Sequence, residues 1–181
     1  CPPDVTIIGE DNRVIVIPQN PTQDVFQLCS GSCVENITVQ EHKAPSFAFS
    51  IKPYQTINIS PLIRNCVSIS GPYLNDGTKF IPNETIQNPL ISPIDVPLIL
   101  NSQVPDVNKR VNTAGAGGGV RIDGAIFGNT SLVRSVYIDG FLAINQGGIG
   151  ILAENNITIN ATSCTTQFCT ISYNAESGSI I

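Results

Sequence analysis

Residues 136–159 read VYIDGFLAINQGGIGILAENNITI, from Val136 to Ile159. Apolar residues come in short bursts, and each burst stops at Gly, Asn, Asp or Glu. Short strands joined by tight turns are written this way. The pair Val136/Ile138 returns as Ile157/Ile159, 21 residues on, and Ile138, Ile159 and Ile180 keep that step. Ile149 and Ile171 lie 22 apart, as do Val25 and Phe47, while Val5 and Val25 lie 20 apart. A recurrence near 21 residues, with about three short strands per period, suits a coil of parallel β-helix, because each coil lays its inward side chains on those of the previous one. A β-sandwich, with strands every 8–12 residues or so, reads much the same way. Ile and Val together number 40 of 181, so one coincidence proves little. The repeated step favours the β-helix.

Composition agrees. The chain has 26 Ile, 14 Val and 13 Thr against 9 Leu. Branched side chains fit a pleated surface and lose rotamers in a helix. Further bursts fall at Val5–Ile8, Val14–Ile17, Val25–Leu28, Ile37–Val39, Phe47–Ile51, Ile57–Ile59, Val67–Ile69, Val120–Ile122, Ile149–Ile151 and Thr170–Ser172, and no stretch of eleven shows helical periodicity. Charged residues are 13% and hydrophobic ones 41%, which excludes disorder driven by charge. Net charge is −5, and Lys109-Arg110 is the sole basic pair, so no footprint for nucleic acid exists. No apolar run approaches the roughly 18 residues of a membrane span.

The rhythm breaks between Gly71 and Gly119. Six of the thirteen prolines lie there, and the segment closes on Gly115-Ala116-Gly117-Gly118-Gly119. Proline cannot donate to a central ladder. The organisation expected is one domain: β-helix coils over 1–71, a Pro/Gly-rich insertion over 72–118, and coils again over 119–181. Ile91, Ile94, Val96, Leu98, Ile99 and Leu100 make the insertion too apolar for a solvated linker, so packing on the coils or on a neighbouring chain is expected. The chain starts at Cys1 and has no Met, which reads as a processed product or a piece of a longer polypeptide. Ser179-Ile180-Ile181 offers no cap, so another chain or further sequence is expected to cover that edge.

Few residues carry chemistry. Cys29/Cys33 and Cys164/Cys169 lack the spacing of a zinc knuckle, Cys1 and Cys66 stand alone, and His42 is the single His. Buried free thiols are expected ahead of disulfides. The Gly run at 115–119 lacks the Lys and Ser/Thr of a phosphate loop and is followed by strand-like Val120-Arg121-Ile122-Asp123, so it reads as a flexible loop. Asp123 and Asp139 share an Ile-Asp-Gly setting, 16 residues apart. Paired carboxylates serve glycoside hydrolysis, but Asp-Gly also makes coil corners, where Asp bonds its own backbone and Gly takes positive φ. The corner reading is favoured, and Glu154 and Glu176 read likewise as solvent-facing corners. Six Asn-X-Ser/Thr sequons occur, at Asn36, Asn58, Asn83, Asn129, Asn156 and Asn160. They suit either glycosylation or a ladder of stacked amides at a bend, with Asn36 and Asn58 one coil apart; the ladder is favoured.

Val25–Leu28, Pro45–Ala48 and Ser60–Ile69 resemble consecutive coils of a large family of phage structural proteins. Gly115–Ala125 (GAGGGVRIDGA) and Val133–Cys164 resemble it more closely, above all in Arg134-Ser135, Asn145-Gln146-Gly147-Gly148 and Asn155. The family comprises β-helical virion proteins of contractile-tailed phages that infect marine bacteria, cyanobacteria especially. The resemblance covers most of the chain, and the Asn-rich stretch 155–162 departs from it. It implies a tail, baseplate or fibre component of the virion and brings no catalytic residues.

The expectation is therefore an all-β chain, a right-handed parallel β-helix of about six coils with a Pro-rich insertion. It is a structural virion protein, not an enzyme, with no catalytic, cofactor-binding or metal-ligating residue and no cofactor. Its partners are copies of itself, as a homotrimer with residues 72–114 at the contacts, and other virion proteins. Contact with a host surface glycan is open; nucleic acid and a membrane span are not expected. Two other classes stay open: a tailspike-like glycan depolymerase, and a secreted glycoprotein adhesin.

Overall fold

The computed structural model describes residues 1–11, 14–71 and 116–181. Most bursts of branched residues become strands, in a threefold rhythm. The first coil is β1 (Thr6–Ile8), β2 (Ile15–Val16) and β3 (Phe26–Leu28); the second is β4 (Cys33–Glu35), β5 (Thr38–Gln40) and β6 (Phe47–Ile51). The third is β7 (Leu62–Arg64), β8 (Val67–Ser70) and β9 (Gly118–Asp123). The fourth is β10 (Ser135–Asp139), β11 (Leu142–Asn145) and β12 (Ile149–Glu154), and the fifth β13 (Thr158–Thr162), β14 (Thr165–Gln167) and β15 (Ile171–Ala175). Strands in the same position of successive coils pair in parallel, giving three five-stranded sheets. Sheet I is β1-β4-β7-β10-β13, sheet II is β2-β5-β8-β11-β14, and sheet III is β3-β6-β9-β12-β15. This is a parallel β-helix.

The core is a set of stacked columns whose members in the first and last coils are half-buried or exposed. Ile7, Val34, Ile63, Ile138 and Ala161 follow one another up sheet I. Val16, Val39, Ser68, Ala143 and Thr166 do so in sheet II, and Phe26, Phe49, Val120, Ile151 and Tyr173 in sheet III. The Phe26 and Phe49 rings stack with centroids 5.5 Å apart, and Phe141 meets Phe49 edge-on at 5.9 Å. Like sits on like because parallel pairing in register leaves each inward side chain directly over its neighbour.

One corner repeats up the stack. Between sheets I and II the chain turns through Asn36, Asn65, Gly140 and Ser163, all left-handed, with φ of 55°, 49°, 66° and 53°. Their amides form a ladder from coil to coil: Gly9 N donates to Glu35 O, Asn36 N to Arg64 O, Asn65 N to Asp139 O and Gly140 N to Thr162 O, at 2.8–3.1 Å. Asn tolerates this conformation and Gly has no side chain to oppose it. At Gly140 a Cβ would stand 2.5 Å from Asn65 Oδ1, so this position needs Gly for space as well.

Several expectations change. The described residues hold five coils, not six. The 21-residue column fails: Val136 pairs with Ile159, 23 residues on, and Ile138 with Ala161. Ile180 bridges Thr158 instead and is 62% exposed. The step departs from 21 because the crossings from sheet III to sheet I differ in length from coil to coil. Val5 and Val25 lie in different walls, near β1 and β3. Ile57–Ile59 is not a strand; it crosses from sheet III to sheet I, where Ile57 N and Asn58 N bond Ser131 Oγ and Ser30 Oγ rather than a strand. Asn36 stacks on Asn65, not on Asn58, which lies in that crossing. Gly118 and Gly119 belong to β9 and are buried, not to a flexible loop; a Cβ on Gly118 would stand 2.1 Å from the Phe47 ring. The expected insertion runs mostly over residues 72–115, outside the described ones, and with it the expected packing of that segment and its place at subunit contacts.

Candidate functional site

The outer face of sheet III carries a row that is polar at every position but Leu152. Gln27, Ser50, Arg121, Leu152 and Asn174 are neighbours in register on β3, β6, β9, β12 and β15. Alternation puts them outside because Phe49, Ile51, Val120 and Ile122 beside them belong to the core. Two adjoining concavities, of about 540 and 200 Å³, open over the row, and Asp24, Gln27 and Arg121 line both. Pro45 borders the larger; Ser50, Ile51, Pro53, Asp123 and Ile126 border the smaller. Together they form one trough, within the size range of small-molecule sites.

Arg121 is its electrostatic centre. Its Nε donates to Glu154 Oε2 at 2.8 Å, and Nη2 lies 3.8 Å from Asp123 Oδ2. Asp123 and Glu154 face each other in the ladder between β9 and β12. Burial opposes the charge on Arg121, but the hydrogen bond and charge of Glu154, with the charge of Asp123, outweigh it and hold the guanidinium pKa above its usual value. Asp123 Oδ1 also accepts from Ala125 N at 2.8 Å and Asn155 Nδ2 at 2.7 Å. Asp24 Oδ1 accepts from Phe47 N at 2.8 Å. Ser50 differs from all of these: it is 4% exposed and its hydroxyl has no hydrogen-bond partner.

Asp123 and Asp139 are not brought together. They end strands of different sheets, and Asp139 pairs in register with Arg64 and Thr162. The Asp-Gly corner reading divides between them: Asp123 bonds the backbone of Ala125, whereas Gly140 is the glycine with positive φ. Glu154 is no solvent-facing corner; its side chain is 23% exposed and paired with Arg121. Glu176 is exposed and accepts from Asn174 Nδ2 at 2.6 Å. Of the sequons, Asn58, Asn129, Asn156 and Asn160 are exposed, Asn36 is half-buried, and Asn83 lies outside the described residues.

All six thiols are unpaired, with Cys29, Cys33 and Cys66 buried. Burial, with Glu35 beside it, pushes Cys33 up to about 11, and burial does the same to Cys66. Such thiols stay protonated near neutral pH and are poor nucleophiles. Among the described residues no group of three or more His, Cys, Asp or Glu is placed to hold a metal ion, and no helix is long and apolar enough to cross a membrane.

A second polar group is internal. His42 is fully buried, with Nε2 2.8 Å from Gly118 O and 3.3 Å from Ser68 Oγ. A carbonyl only accepts, so Nε2 carries the proton and Nδ1, which has no partner, is the bare nitrogen. Ser68 Oγ continues to Asn145 Oδ1 at 3.0 Å, and Ser70 Oγ donates to Gly117 O at 3.0 Å. The group ties the corner between sheets II and III.

No protein family, curated protein or solved structure matches the chain.

Sequence reasoning missed Gln27, Ser50 and Arg121 as a unit. Each looks ordinary along the chain, and only the register between coils makes them neighbours.

Proposed function

We propose that the chain is a structural component of a phage virion, in the tail, baseplate or fibre, whose stacked coils form a stiff rod bearing a surface-contacting face. The observation that carries this is the single run of core columns through three five-stranded parallel sheets, which couples every coil to the next. A rod of this kind resists local opening because each strand between the end coils is paired on both sides. The sequence resemblance supplies the virion setting, with other copies of the chain, as a homotrimer, and other virion proteins as partners.

The reading is non-catalytic. In the trough the carboxylates of Asp123 and Glu154 are engaged by Arg121, Ala125 N and Asn155. Both are held by groups of the protein itself, so neither is left free to face a substrate. Mass spectrometry of purified, protease-washed particles tests the proposal. Peptides of this chain are expected at structural copy number, and their absence from the particles would overturn it.

A second reading, a secreted glycoprotein adhesin, draws on the exposure of Asn58, Asn129, Asn156 and Asn160. A mass loss on glycosidase treatment of the natural protein would favour it over the virion.

A further inference from the structure

We infer that the trough on sheet III is a binding site for an uncharged glycan. This rests on the reading above, a rod with a surface-contacting face, and names the ligand that face would take.

The lining points to a polyhydroxylated, uncharged partner. Asp24 and Asp123 are acceptors, Arg121 is a donor, and Gln27 and Ser50 each offer both. Sugar hydroxyls donate and accept at once, so a mixed set of this kind can satisfy them in pairs. Among the described residues the lining carries two carboxylates, Asp24 and Asp123, against the guanidinium of Arg121, which Glu154 also engages from beside the trough; this balance is net negative and repels uronate, sulfate or phosphate. Among the described residues no aromatic ring lines either concavity to stack a nucleobase, while Pro45, Pro53 and Ile126 offer apolar contact that suits the C–H face of a pyranose.

Ser50 is the observation that separates a site from a surface. Its hydroxyl is buried in the floor of the trough, between Gln27 and Arg121 in the row, and bonds nothing in the protein. An unpartnered buried hydroxyl costs the fold, and alanine at the same place would not. Gln27, an exposed residue, lies beside it in the ladder. A ligand hydroxyl seated over these two residues completes the hydrogen bonding that the fold leaves open.

Affinity electrophoresis of the whole chain, through gels containing a soluble neutral polysaccharide (dextran, mixed-linkage β-glucan or galactomannan) or polygalacturonate, tests the inference. Retardation is expected in at least one neutral gel and not in polygalacturonate. Ser50→Ala is expected to weaken binding about fivefold, the loss of one net hydrogen bond, while its unfolding temperature stays the same or rises. Gln27→Ala is expected to weaken it comparably. No retardation in any neutral gel, retardation in polygalacturonate, or variants that bind like the parent would each overturn the site. Reducing ends are measured on the retarding polysaccharide in parallel. Their release would overturn the non-catalytic reading and leave the binding site standing, whereas failure to bind leaves the rod untouched.

Discussion

Ile159 is 2% exposed and packs in the main core, whereas Ile180 is 62% exposed. Ile159→Asp is expected to cost about 3–5 kcal/mol, because it places an unpaired charge among apolar side chains. Ile180→Asp is expected to cost less than about 0.5 kcal/mol, as surface changes do. Thermal unfolding of the two variants checks this, and equal losses would contradict the burial assigned to them. His42 gives a second test. Burial pushes its pKa down to about 4 from 6.5, against the opposing pull of the Gly118 carbonyl and of Asp24. The unfolded chain therefore binds a proton between these values that the folded chain refuses. The His42 contribution is fully present above pH 6.5 and is lost as pH falls towards 4, by up to about 3 kcal/mol. His42→Gln keeps a donor for Gly118 O and does not titrate. The stability difference between parent and variant is expected to shrink over that window, and a difference independent of pH would contradict it.

The corner between sheets I and II places a left-handed residue in each of four successive coils. Asn65 and Gly140 occupy equivalent left-handed positions in successive coils. Asn65→Gly is expected to leave stability unchanged or slightly raised, and Asn65→Val to lower it by about 1–2 kcal/mol. Gly140→Val is expected to cost more, since its Cβ would meet Asn65 Oδ1. Urea unfolding of the three variants gives the order, and a stable Gly140→Val would show that the corner is not left-handed. Elements differ in how plainly the sequence writes them. Phe47–Ile51 and Ser135–Asp139 announce themselves by alternation with branched or aromatic residues. Strands β4, β7, β11 and β14 do not. Cys33-Val34-Glu35 and Thr165-Thr166-Gln167 place a single inward residue each, too little for a pattern. Ile57–Ile59 alternates yet forms no strand, because its backbone is satisfied by Ser30 and Ser131 from neighbouring loops.

Over the whole molecule, the coil was legible and its register was not. Three strands per turn follow from the spacing of the bursts, but the crossings from sheet III to sheet I differ in length. Leu28 leads to Cys33 in a few residues, whereas Ile51 leads to Leu62 through a long loop. A fixed period therefore drifts, and with it any site assembled across coils. The trough was unreadable for that reason: Gln27, Ser50 and Arg121 meet only through pairing of β3, β6 and β9. Assembly is a separate matter. The proposed homotrimer predicts three copies in sedimentation of the 181-residue chain, and a stable monomer would contradict it. The stacking of coil on coil underlies the rod, the trough and the register alike. Hydrogen-bond scalar couplings measured by NMR test it most directly. Val67 N donates to Ile37 O, Leu142 N to Cys66 O and Thr165 N to Phe141 O, at 2.8–3.0 Å, across three successive coil interfaces. The account predicts a coupling from each of these amides to the named carbonyl carbon; couplings to other carbonyls, or none, would contradict the parallel stack.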